Sequence, residues 1–241
     1  MSVLEQVVGP AGVRAAKTAL HRMVTRGGWI PDILPQGRLI SGVCSRDPSN
    51  TVDITRLQPG LLMGKIGTVV NSLGTAGYYA PSIFGVTSGV KAAGDTTLTV
   101  STAVATEIVR RCGASGTFLL TGPAVAGHAV QQETVTYSVA VLATGVFTVT
   151  AIVNNYVAGS FVQPTDGTAD PLTFIPSGWP IPVSDDTNTI QDVDFAEIPI
   201  GCIVDETQLL PGWPTDAALQ AWIASRLDRN GGGKFTFNFT Y

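Results

Sequence analysis

Apolar and polar residues alternate with a period of two along much of the chain, the spacing of strands that show one face to a core and one to solvent. Gln58-Pro59-Gly60 opens a turn, and Leu61 to Ile66 follows as a short apolar strand. Gly74 to Gly77 make a second turn, and Tyr78 to Pro81 bring the chain back. Ser82–Thr87 and Thr96–Val100 read as further strands, then Gly116–Leu120. Glu133–Val141 and Gly145–Val153 form a hairpin around Ala143-Thr144-Gly145. Strands are expected again at 159–162, 172–175 and 198–204, with 178–183 a Pro-rich edge. At the end, Phe235, Phe237, Phe239 and Tyr241 alternate with Thr236, Asn238 and Thr240. This aromatic strand either completes the chain's own sheet or pairs with a neighbour's edge.

Helical spacing is confined to three places. Residues 2–26 carry Val3, Leu4, Val7 and Val8 on one side, are interrupted by Gly9-Pro10, and resume with Ala16, Leu20 and Met23. Ser101 or Thr102 caps a helix over 103–112 that ends at Gly113, with Val104, Ile108 and Cys112 on its buried face. Arg110 and Arg111 sit in its last turn, where cations complement the helix dipole. Thr215 caps a helix over 216–229 with Leu219, Trp222, Ile223 and Leu227 as its stripe, ended by Gly231-Gly232-Gly233.

The pattern gives a mainly β fold, a sandwich- or barrel-like core with a small inserted α+β unit and a C-terminal helix plus strand. Residues 1–50 are an N-terminal helix and an extended arm, 51–93 and 157–241 the β-rich core, and 94–156 the insertion. The Gly-, Pro- and Arg-rich arm over 27–50 cannot make a core alone. Its Trp29 and Ile30 are the candidate contacts with a partner, or pack on this chain's own sheet.

Composition bears on function. Charged residues are 13% of the 241, against about 25% in an average soluble domain. Thr, Ser and Gly supply uncharged polarity, and interface cores are depleted in charge. The net charge of −4 does not suggest nucleic acid as a ligand. Residues 1–50 carry a net +3 and residues 160–230 a net −9, a polarity that orients a molecule on a charged surface or lies in solvated loops. Residues 134–165 hold no charge, but Thr134, Thr136 and Ser138 alternate with Val135, Tyr137 and Val139, so a strand and not a membrane span is expected. The start, MSVLEQVVGP, lacks a signal-peptide pattern. Three widely spaced cysteines, Cys44, Cys112 and Cys202, fit buried free thiols made in a reducing cytoplasm rather than a disulfide framework or a zinc site.

Catalytic and cofactor motifs are missing. Gly60-Leu61-Leu62-Met63-Gly64-Lys65 has three residues between its glycines where a phosphate loop has four, and no Ser or Thr follows the lysine. Gly113-Ala114-Ser115-Gly116 is not a nucleophile elbow. His21 and His128 have no nucleophile beside them, and His128 is expected to be exposed. Asp185, Asp186, Asp192, Asp194 and Glu197 lack calcium-loop spacing and read as solvated loops, as Asp166-Gly167 reads as a turn. Asn238-Phe239-Thr240 is a glycosylation sequon that matters only in a secreted eukaryotic protein. No catalytic, cofactor or metal residue is assigned.

The stretch Leu57-Gln58-Pro59-Gly60-Leu61-Leu62-Met63-Gly64-Lys65-Ile66, followed by Tyr78-Tyr79-Ala80-Pro81, resembles the head decoration (cement) proteins of tailed bacteriophages. Val157 to Thr168 is similar to a later strand and turn of those proteins, and Arg110–Pro123 with Thr134–Ser138 to segments of larger virion proteins of this kind. The resemblance implies a non-enzymatic protein on the outside of the capsid, made in the host cytoplasm, bound to the major capsid protein and clustered as a homotrimer. It implies no nucleic acid, membrane or cofactor. Edge-strand pairing, an arm and burial of weakly charged surface would supply the binding. The rival expectations are a phage tail or fibre component, a carbohydrate or host-surface binding module using Trp179 and Trp213, and, weakest, an enzyme.

Overall fold

The computed structural model describes residues 25–26, 39–46, 54–175, 181–184, 189–194, 202–204, 209, 214–231 and 235–237. In chain order its first strands are β1 (Thr25–Arg26), β2 (Leu39–Ile40), β3 (Arg56–Leu57), β4 (Leu62–Lys65), β5 (Tyr79–Pro81), β6 (Gly85–Val86) and β7 (Thr97–Thr99). Helix α1 (Thr102–Cys112) follows, then β8 (Gly116–Pro123), β9 (Val130–Val141), β10 (Val146–Val149), β11 (Phe161–Pro164) and β12 (Pro171–Phe174). The last elements are β13 (Ile181–Pro182), β14 (Val193–Asp194), β15 (Cys202–Val204), helix α2 (Ala217–Gly231) and β16 (Phe235–Phe237). The fold is mainly β, as the alternation predicts, with a C-terminal helix after the strands.

Six antiparallel strands, in the order β6-β11-β8-β9-β10-β7, curl into a half-barrel. Their inward residues alternate as a half-buried strand requires: Phe118 and Leu120 from β8, Val135 and Tyr137 from β9, Phe147 and Val149 from β10. The rings of Phe118, Tyr137 and Phe147 pack with centroids 5.1 to 5.8 Å apart. Helix α1 supplies Ala105, Ile108 and Cys112 to the same core. Ser101 caps it, its hydroxyl accepting the Val104 N–H, and Gly113 ends it at φ +98°. The outer edge of β7 is closed by the chain that follows β6. Thr99 O accepts both the N–H and the hydroxyl of Ser88, and Thr97 O accepts the Lys91 ammonium.

A second sheet runs β12-β4-β5-β2-β14. Its centre is the β4–β5 hairpin, entered through Gly60 and returning through Gly74 and Gly77, all at positive φ. Ile40, Leu57, Leu61, Met63, Tyr79, Ile175 and Val183 pack together on this sheet. Helix α2 is capped by Asp216, whose carboxylate accepts the N–H groups of Ala218 and Leu219, one residue after the expected Thr215. Its Leu219, Ile223 and Leu227 join Leu62, Phe84, Phe161 and Phe174 between the two sheets.

Three expectations change, and one sheet joins strands from both sides of the expected boundaries of the insertion. Thr25–Arg26, expected to end a helix, is a strand antiparallel to β15, and the rest of 2–24 lies outside the described residues. Leu39–Ile40, expected in an arm, is a strand in the second sheet with Ile40 fully buried; two residues are too few to show a period. The strand expected over 82–87 shortens to Gly85–Val86. The boundaries of the insertion at 93/94 and 156/157 run through one sheet, because β8 pairs with β11 and β11 with β6. In the described part of the C-terminal strand, β16 pairs in parallel with the chain's own β15, one of the two outcomes expected for it.

Replacing Phe147 with alanine removes the ring that touches both Phe118 and Tyr137 in the half-barrel core. The expected loss is about 3–5 kcal/mol of unfolding free energy, read from urea titrations followed by tryptophan fluorescence.

Candidate functional site

Two features stand out for function: a buried charge cluster where the sheets meet, and an exposed sheet face without charge. The cluster grows from the last turn of α1. Arg111 is 1% exposed. Its Nη1 donates to Pro81 O at the end of β5 (2.9 Å) and to Thr168 Oγ1 (3.1 Å), and lies 3.4 Å from Asp166 Oδ2. Asp166 and Thr168 belong to the link from β11 to β12, where Thr168 donates its N–H and its hydroxyl to Asp166 Oδ1. Glu107, one turn back and also buried, holds Arg110 through Nε and Nη2, and its Oε2 is 3.9 Å from Arg111 Nε. Arg110 then donates to the carbonyls of Val43 (2.7 Å) and Cys44 (2.6 Å) in the turn after β2. One helix end thus grips three segments far apart in sequence.

Burial works against the Arg111 charge, and Cys44, Asp166, Glu107 and Cys112 together more than offset it, holding the guanidinium above its ordinary pKa. Burial pushes the Cys44 thiol up, against a smaller pull from Arg111. Burial also raises Cys112, against a hydrogen bond from the Thr165 backbone. Both shifts disfavour the thiolate, which is the reactive form. The sequence places both arginines at the helix dipole. The structure turns their side chains inward, onto a glutamate three and four residues earlier, a spacing visible in the sequence. Asp166, expected in an ordinary turn beside Gly167, is buried as a partner of Arg111.

The exposed face lies on the outside of the half-barrel. Tyr137 is opposite Val149 but Val139 is opposite Thr148, so Ser138 is an extra residue, a β-bulge. The bulge shifts the alternation by one. Beyond it Ala140 packs toward the core, while Val139 (52% exposed) and Val141 (48%) turn to solvent. They lie in cross-strand rows with Thr148 and Thr97, and with Val146 and Thr99. Thr134 and Thr136 extend the face toward β8. None of these side chains is charged. At the β11 side α2 covers the outer face, leaving a depression of about 300 Å³ bordered by Leu119, Gln132, Thr165, Asp170 and Arg226. Its two charged groups pair with each other at 2.8 Å, and Arg226 also stacks 4.3 Å over Trp222.

The other sequence candidates are placed as follows. Trp29 and Ile30, and likewise Trp179, Trp213 and His21, lie outside the described residues. His128 is exposed in the loop between β8 and β9, as expected. Asp192 accepts the Gly42 N–H and Asp194 ends β14, whereas Asp185, Asp186 and Glu197 are not described. Among the described residues no group of three or more His, Cys, Asp or Glu could hold a metal ion. Nor is any described helix long and apolar enough to cross a membrane.

Arg111→Met leaves Asp166 and Glu107 buried without their full complement of cations, with an expected loss of about 3–5 kcal/mol in urea unfolding. The thiols set a pH dependence. Folded Cys44 and Cys112 keep their protons above the ordinary thiol value of 9.0, where unfolded ones ionise. Stability from this source is complete below pH 9 and falls as pH rises past it, because the folded state then binds more protons than the unfolded. In a Cys202→Ser background, a thiol reagent should label neither cysteine until denaturant is added, and Cys44→Ser with Cys112→Ser should flatten the alkaline loss of stability.

No protein-family model, curated protein or solved structure matches the chain.

Proposed function

We propose that this chain is a bacteriophage virion structural protein that decorates the outside of the capsid and stabilises it by bridging coat subunits. The observation that carries this reading is the uncharged Val/Thr face turned outward by the bulge at Ser138. A sheet face without charge can be buried against a partner with little desolvation cost, and interface cores have this composition. Docking is by the face rather than by strand addition at this sheet's β7 edge, where the carbonyls already take Ser88 and Lys91. The motif that resembles the decoration proteins forms the β4–β5 hairpin at the centre of the second sheet. Catalysis has no part in this reading: Cys44 and Cys112 are buried with their thiols pushed up, and Glu107 and Asp166 are engaged by arginines. The partner is the major capsid protein, the protein acts as a homotrimer on the virion surface after synthesis in the host cytoplasm, and no cofactor, nucleic acid or membrane is involved.

Purified protein is mixed with expanded phage heads that lack it and sedimented, with unexpanded shells and tails as controls. Saturable binding to expanded heads is expected, with raised resistance of the heads to heat. Val139→Lys with Val141→Lys, both exposed and so compatible with folding, should weaken that binding by about tenfold or more, or roughly 1.4 kcal/mol. Binding to tails alone makes the protein a tail component. Binding to neither overturns the virion reading.

A further inference from the structure

The interior between the two sheets holds more polar atoms than the protein itself satisfies. Arg111 Nε and Nη2 are buried and make no hydrogen bond, and the same is true of the hydroxyls of Ser41, Ser45 and Ser82. These five atoms come from three segments that the arginine pair draws together. Ser82 follows Pro81, whose carbonyl accepts Arg111 Nη1. Ser41 and Ser45 flank the turn whose Val43 and Cys44 carbonyls accept Arg110, and the Ser45 N–H bonds to Ser41 O. Ser41 Oγ and Cys44 Cβ both lie against Gly74, while Cys44 packs with Ala80, two residues before Ser82. Buried polar groups left without partners are costly, and natural proteins satisfy nearly all of them with protein or ordered water.

We propose that this seam is an internal water site, in which one or more ordered water molecules bridge Arg111 Nε and Nη2 to the hydroxyls of Ser41, Ser45 and Ser82. The chemistry selects water over an anion. Arg110 and Arg111 are already balanced by Glu107 and Asp166, so an added anion would leave a net negative charge in the interior. Water both accepts from a guanidinium and donates to a hydroxyl, and a buried water commonly makes about three hydrogen bonds. The site does not depend on the proposed role on the capsid.

The test is a high-resolution crystal structure of the whole chain with bromide in place of chloride. Water density within hydrogen-bond reach of Arg111 Nε or Nη2 and of at least one of the three hydroxyls is the expected result, with no bromide anomalous signal. A bromide peak on the guanidinium, or a seam closed by protein atoms alone, overturns the proposal. Ser41→Ala and Ser82→Ala give a second measure. Each should lower Tm, because each removes a partner of a bound water; an unchanged or raised Tm for both counts against the site, since deleting an unbonded buried hydroxyl costs nothing.

Discussion

A guanidinium with almost no contact with solvent constrains this fold more tightly than any apolar contact does. Burying a cation is expensive, and only good geometry on all sides compensates. For Arg111 that geometry needs the C-terminal turn of α1, the end of β5 and the link between β11 and β12 to arrive together. Arg110 adds the turn after β2. The apolar cores on either side would tolerate a shifted strand better than the charges would, because dispersion is non-directional and a hydrogen bond to a carbonyl is not. The cluster therefore contributes more to fixing how the half-barrel meets the second sheet than to net stability.

The parts of the fold that were legible in the sequence are those in which a single segment carries its own signal. Helix α1 shows its cap, its buried stripe and its terminal glycine within 13 residues, from Ser101 to Gly113. The β9–β10 hairpin shows period two on both arms, and the stripe of α2 is legible at Leu219, Ile223 and Leu227. What failed is non-local. β2 and β3 have two residues each, and only their neighbours make them strands, while β6 keeps two residues of the six expected. Ser138 looks like any other polar position of an alternating strand, so the phase change that exposes Val139 and Val141 could not be read from it. The lack of charge over 134–165 is visible in the sequence, where it predicts a strand and not a membrane span, but it does not show which residues face solvent. For the charge cluster the local half, Glu107 with the two arginines, was open to view; the distant half, Asp166 and the Val43 and Cys44 carbonyls, was not.

The scarcity of charge acquires a location in three dimensions. Some of the few charged side chains are spent inside: Glu107, Arg111 and Asp166 are all less than 5% exposed. The outer face of β7, β9 and β10 receives none. The interior and the outer face thus draw on opposite kinds of residue, which suits the proposed role of holding other protein.

The stitching of Ser88 and Lys91 onto β7 has a consequence for handling and for life at high concentration. An open strand is a template on which copy after copy can add without limit, and a chain this poor in charge has little electrostatic repulsion to prevent it. With the Thr97 and Thr99 carbonyls already occupied, addition of a further strand at the β7 edge is opposed at its first step. Association through the Val/Thr face is a different geometry: a face once covered is used up, so assemblies built on it can be finite. The occupied β7 edge separates the association proposed for this molecule from the kind that leads to fibres.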